Sequence, residues 1–172
     1  SPHFAALADI VENIAREHGY GVLVFNTHED EVREAEGVRL LTNGLGDGIL
    51  LIQTANALQN GNLLRDVTVP VVAIDRIRNT FPGPFCNVDN MAVARLAMQH
   101  LYDLGHRRIA HLAGPSSALS AQDRVKGYRQ FIRQAGLDYE YVSTNPNLWS
   151  SDEGYRAMHQ LLQEPERPTA VC

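Results

Sequence analysis

The sequence predicts an α/β protein whose parallel strands are covered by helices on both faces. Two features carry that expectation. Short apolar runs recur at 21–25, 47–52, 71–74 and 109–112, and between them lie segments whose apolar residues return every three or four positions. The runs are near-continuous and do not alternate with polar residues, the pattern of strands buried on both faces. With 172 residues and 44% of them hydrophobic, the chain is long enough for one ordinary domain or two small lobes with a real core.

Taken in order, the elements follow from local chemistry. Ser1 and Pro2 suit an N-cap and a first helical residue. Phe4, Leu7, Ala8, Val11, Ile14 and Ala15 then make an amphipathic helix that ends near Gly19. Residues 21–25 follow as a buried strand. A second helix spans 31–42 with Val32, Ala35, Val38 and Leu41 inward, and the acids of His28-Glu29-Asp30 sit where its dipole favours them. Next come a strand at 47–52, a short helix at 56–64, a strand at 71–74 ending at Asp75, and an irregular loop at 76–87 around Pro82-Gly83-Pro84.

Residues 88–112 are the most informative stretch. Asp89 or Asn90 can cap a helix, and Val93, Ala97, Leu101 and Leu104 give it an apolar face. Gly105 stands where a left-handed C-terminal cap is usual. Arg107 and Arg108 lead into a short strand that stops at Gly114-Pro115. A helix over 122–135 carries Val125, Tyr128, Phe131, Ile132 and Ala135 along one side and closes at Gly136; a strand at 141–143, a helix at 152–162 and a strand at 169–171 complete the chain.

A formal net charge of −5 argues against this segment wrapping nucleic acid, where a basic surface is the usual footprint. Cys86 and Cys172 are too few and too far apart for a metal knuckle or a disulfide framework, and read as two unpaired thiols in a reducing compartment. No apolar run approaches the ~20 residues of a membrane helix. There is no nucleophile elbow and no phosphate loop. Gly114-Pro115-Ser116-Ser117 leads from a strand to a helix and could bind an anion, but a plain turn is the simpler reading. The histidines are scattered, with His100, His106 and His111 off ligand-pair spacing. Neither a catalytic residue, a metal site nor a cofactor is expected.

The ordered set Val88-Asp89-Asn90, then Leu104-Gly105-His106-Arg107-Arg108-Ile109-Ala110, Gly114-Pro115 and Arg124-Val125-Lys126-Gly127-Tyr128 resembles the middle of the effector-binding core of lactose-repressor-type (LacI/GalR) transcription regulators. The similarity runs from Ser1-Pro2-His3-Phe4 to Pro168-Thr169-Ala170-Val171. It implies a periplasmic-binding-protein-like fold of two parallel-sheet α/β lobes, with ligand held in the cleft between them. On this reading residues 1–105 are the first lobe, lacking its first strand, and 106–172 are the start of the second. The expectation is therefore a portion of a longer chain, truncated at both ends.

The resemblance also implies a site, since ligands in such sheets bind beyond the carboxyl ends of the strands. Asp75 matches a carboxylate that accepts from effector hydroxyls, and Arg124 an arginine that hydrogen-bonds the effector from the second lobe. Trp149 matches an aromatic ring flanking the cleft, able to pack on the C–H face of a sugar. His3 and Phe4 match a Pro-Phe-Phe stretch lining the first-lobe side; His3 departs from the usual aromatic, and Phe4 equally fits the core stripe of its helix. The implied function is effector sensing by a cytoplasmic bacterial repressor. Its effector is a sugar or derivative ahead of a purine. The resemblance further implies a homodimer that meets operator DNA through a separate N-terminal headpiece, with no membrane partner and no enzymatic activity. An extracytoplasmic sugar receptor of an uptake system is the alternative on the same fold.

Overall fold

A computed structural model describes residues 2–54, 64, 67–75, 81–143 and 150–172. Among them are five α-helices: α1 (Pro2–Glu17), α2 (Glu31–Leu40), α3 (Asn90–Asp103), α4 (Leu119–Ala135) and α5 (Ser151–Leu161). The strands are β1 (Ile49–Leu51), β2 (Val71–Ile74), β3 (Phe85–Cys86), β4 (Ile109–His111), β5 (Tyr141–Val142) and β6 (Ala170–Val171). They form two sheets, ordered β1-β2-β3 and β5-β4-β6, and every pairing is parallel. The α/β class with parallel strands holds.

The caps are those the residue types dictate. Asp30 accepts from the N–H groups of Val32 (2.8 Å) and Arg33 (3.1 Å) and so starts α2. Asp89, rather than Asn90, caps α3 by accepting from Ala92 N–H at 2.9 Å. Gly105 (φ 92°) and Gly136 (φ 62°) follow α3 and α4 in the left-handed region, which only glycine enters without a Cβ penalty. Between α2 and β1, residues Leu41–Leu45 form a π-type turn in which Gly44 takes φ 98°.

Two cores result. One joins Met98 of α3, Ile109 of β4 and Tyr128, Phe131 and Ile132 of α4, with Leu101, Val142 and Ala170 packed against it. Tyr128 is fully buried and its hydroxyl works in both directions, donating to Ile109 C=O (2.8 Å) and accepting from Tyr141 N–H (3.0 Å). It thereby bonds to β4 and to β5, and burial pushes its phenol up to about 12. The second core is smaller: Val38 of α2 with Ile49 and Leu51 of β1, flanked by Leu41, Leu64, Val67, Val69, Val71 and Phe81.

Several expectations need correction. Residues 21–25 are not a buried strand: they make no ladder pairing among the described residues, and Leu23 and Val24 are 63% and 66% exposed. An extended apolar run becomes a strand only where another strand's N–H and C=O groups meet it. Val32 also points out of α2, and Glu34, Gly37 and Val38 turn inward instead. In α3 the buried positions are Asn90, Ala94 and Met98, while Val93, Ala97 and Leu104 are exposed, so of the proposed face only Leu101 packs. The 76–87 stretch holds a strand, since Phe85 and Cys86 pair with Ala73 and Ile74. The expected helix at 56–64 lies outside the described residues except for Leu64.

Candidate ligand site at the strand ends

The side chains of interest gather where the parallel strands end. Asp75 follows β2 directly. Its N–H donates to Cys86 C=O at 3.0 Å, extending the β2–β3 ladder by one bond, and it holds φ 63°, a left-handed conformation rare outside glycine. Its Oδ2 lies 3.9 Å from His3 Nε2, with 25% of the Asp75 side chain and 64% of that of His3 exposed. The His3 ring in turn leans on Phe4, with centroids 5.1 Å apart. Three of the proposed residues, His3, Phe4 and Asp75, are therefore brought together. Trp149 lies outside the described residues.

Arg124 stands in the second turn of α4, which the loop from the end of β4 feeds directly. Its Nε donates to Asn90 Oδ1 at 2.9 Å. Asn90 opens α3 only four residues after β3, so Asp75 and Arg124 connect to the two ends of one short segment. Asp75 is bonded to Cys86 and Arg124 to Asn90. The close approach of the two helices is set by Gly127, one turn along α4 from Arg124. A Cβ there would come 2.5 Å from Met91 C=O and 3.0 Å from Ala94 Cβ.

Two further polar groups line these strand ends. His111, the last residue of β4, stacks on Tyr128 with centroids 5.4 Å apart, and its Nδ1 lies 3.4 Å from Cys172 Sγ. Burial first, and the positive Arg124 second, hold its imidazole below the ordinary value. Its Nε2 is buried without a hydrogen-bond partner. At the end of β1, Thr54 N–H donates to Glu34 Oε2 at 2.7 Å; Glu34 is 2% exposed, and its Oε1 and Thr54 Oγ1 have no partner. An open groove lies elsewhere, between α3 and α4 near Leu96, Gln99, Tyr102 and Gln134. It is open to solvent and holds none of the residues the resemblance assigns to the site.

The whole of residues 1–172 matches the family described as periplasmic binding proteins and sugar binding domain of the LacI family. The chain belongs to that family. Among curated relatives, the ribose operon repressor of Escherichia coli (strain K12) is 32% identical over 172 residues, covering 99% of this chain and 52% of the relative. Catabolite control protein A of Priestia megaterium is 30% identical over 172 residues, covering 98% and 51%. The chain thus spans about half the length of the curated relatives it matches. A LacI transcriptional regulator from a Rhodococcus species superposes with a TM-score of 0.82 at 30% identity, covering 99% of this chain and 62% of that one. By name, the first of these relatives is an operon repressor and the last a transcriptional regulator.

For a LacI-family core, the composition of the strand ends is apt: carboxylate, amide, guanidinium and imidazole are the groups that meet neighbouring hydroxyls, each of which both donates and accepts. From sequence, Asp75 and Arg124 stand out as candidates, Asn90 reads as a helix cap within the family motif, His111 is set aside as off ligand-pair spacing, and Glu34 gives no signal. The available signal was a polar residue at a position that helical spacing turns inward. For Asn90 that position is one turn before Ala94 and two before Met98.

Proposed function

We propose that this chain is the effector-sensing core of a bacterial transcription repressor, with a small hydroxyl-bearing metabolite held between two lobes. The observation that carries the reading is the convergence of Asp75 and Arg124 on segment 86–90. Asp75 is joined to that segment by its backbone N–H and Arg124 by its Nε; the carboxylate of one can accept and the guanidinium of the other can donate, the pair a polyhydroxylated ligand requires. A sugar or sugar derivative is the class of effector, ahead of a purine, and the ribose operon repressor among the relatives supports it. His3 and Phe4 lie on the Asp75 side, while Trp149, to which the resemblance assigns a ring beside the ligand, lies outside the described residues.

The β1-β2-β3 sheet and the β5-β4-β6 sheet are the floors of the two lobes. Because Met98 shares its core with β4 and α4, we place the join at 86–90, ahead of the expected boundary after Gly105. Effector binding changes the angle between the lobes, and in a cytoplasmic homodimer this alters the spacing of two N-terminal DNA-binding headpieces. No catalytic step is involved. A coupling of ~1–3 kcal/mol is enough to change operator affinity roughly 5–150-fold.

The test uses the full-length protein. A melting-temperature screen with D-ribose, other sugars, polyols and purines identifies the effector class, since a ligand bound only to the folded state raises the transition. Arg124→Ala then abolishes the effector response and leaves operator binding intact. An Arg124→Ala protein that still responds at unchanged effector concentration would refute the site.

A further inference from the structure

We infer that Asn90 is a positioning residue: it fixes the guanidinium of Arg124 relative to segment 86–90, and through it sets effector affinity. The inference rests on the reading of Arg124 as an effector-binding group. Asn90 is the first residue of α3 and is only 6% exposed. Its carboxamide is used at both ends. Nδ2 donates to Val88 C=O at 3.1 Å, and Oδ1 accepts from Arg124 Nε at 2.9 Å.

The first bond decides the second. An amide turned the other way would set its NH₂ against the Nε–H of Arg124, donor facing donor, and its oxygen against the Val88 carbonyl. One orientation satisfies all four groups, so Asn90 presents an acceptor at a fixed point. An arginine has a long, freely rotating stem. Tethering Nε before ligand arrives lowers the ordering cost of every later contact the guanidinium makes. The tether also lies in a well-defined frame. Gly127, on the same side of α4, brings that helix to within contact of the Met91 backbone, so the Arg124 stem spans a short fixed gap.

The neutrality of the amide matters as well. A carboxylate at this point could still accept from Nε, but it would set an oxygen against the Val88 carbonyl and would offset the positive charge of Arg124, the property that makes it a strong donor toward hydroxyl oxygens. An amide positions the group and leaves its charge in place. The same charge is what helps keep His111 neutral nearby.

The experiment has two arms, both in the full-length protein. In the first, without ligand, solvent exchange of the Arg124 Nε–H is followed by ¹⁵N NMR, the signal being assigned by its loss in Arg124→Lys. Exchange is slower than at the exposed Arg16 in the native protein. It rises in Asn90→Ala and Asn90→Ser, and stays slow in Asn90→Asp, which keeps an acceptor. Serine is a good helix-start residue and is too short to reach Arg124, so Asn90→Ser decides the matter even if Asn90→Ala does not fold. Unchanged exchange in Asn90→Ser overturns the inference. In the second arm D-ribose is titrated by calorimetry. Asn90→Ser weakens its binding roughly tenfold to a hundredfold, the equivalent of one hydrogen bond to a charged group. An unchanged affinity overturns the inference. If the native protein does not bind D-ribose, the failure falls on the proposed effector, and the exchange arm alone decides the role of Asn90.

Discussion

Asp75 sits in a backbone conformation that most side chains avoid, at the place where the proposed ligand is met. Its φ of 63° carries a left-handed penalty of ~1–2 kcal/mol, softened for a short polar side chain. Its contact with His3 is long, 3.9 Å, with the His3 side chain mostly exposed, and a pair of this kind, ionic only when the imidazole is protonated, is worth about 0–1 kcal/mol. Little in the fold therefore depends on the carboxylate. Asp75→Gly is expected to leave the melting temperature level or slightly higher, because release of the left-handed penalty offsets the ~0.5–1 kcal/mol that a glycine's extra chain freedom costs. Effector affinity in the same variant falls by the ~1.5–3 kcal/mol of a charged hydrogen bond. A clear loss of melting temperature would mean that the carboxylate holds the loop and not the ligand. His111 makes a separate prediction. Burial and Arg124 both depress its folded-state value, so the unfolded chain binds the proton more readily. Stability from this group is complete above about pH 6.5 and is lost as the pH falls below it, because there the unfolded state takes up more protons. Between about pH 7.5 and pH 5.5 the native melting temperature should drop more steeply than that of His111→Phe, which keeps a ring on Tyr128. Equal slopes would show that His111 titrates alike in both states.

The helix α4 shows how one short motif serves three purposes. Arg124 faces the strand ends, Gly127 lets α3 approach, and Tyr128 bonds to β4 and β5. Gly127→Ala tests the middle term. The new methyl would meet Met91 C=O at 2.5 Å, a backbone atom that cannot step aside, so the helices must part. Overpacking of this kind costs about 1–3 kcal/mol. A lowered melting temperature should accompany a larger loss of effector affinity than the stability change alone explains, because Arg124 moves away from Asn90. A Gly127→Ala protein with native stability would show that the contact relaxes freely. The same comparison indicates what a sequence can disclose. The inward face of α4 is visible in its spacing because Tyr128, Phe131 and Ile132 are large and apolar. The faces of α2 and α3 are not, because Glu34 and Asn90 are turned inward by hydrogen bonds to Thr54 and Arg124, partners distant in sequence. Hydropathy ranks both residues as surface. For the same reason Arg124 could be singled out from its motif, whereas the residue that holds it could not. The two-residue strand β3 is simply too short to carry a period.

The two halves of the molecule are unequally built, and that difference should be measurable. The core around Met98, Ile109, Tyr128, Phe131 and Ile132 joins two helices and a sheet, with Met98, Ile109 and Tyr128 fully buried. The core around Val38, Ile49 and Leu51 is smaller. In addition α1 exposes Ile10 and Ile14, each 54% accessible, and residues 22–25 are exposed and join no ladder among the described residues. Local opening is easiest where few apolar contacts and few backbone hydrogen bonds must be broken. Amide hydrogen exchange on the 172-residue chain should therefore fall into tiers. The amides of 109–111 and 128–132 exchange slowest, those paired between β1 and β2 exchange faster, and those of 21–25 exchange first. The order bears on mechanism as well as stability. Arg124 and Asn90 sit on the slow side, so the guanidinium is carried by a rigid body, while Asp75 projects from the looser sheet beside β3. A ligand bridging the two would gain most of its ordering on the Asp75 side, and adding effector should slow exchange there more than in α4. Uniform exchange across both cores, or fastest exchange in α4, would remove the rigid frame on which the positioning of Arg124 depends.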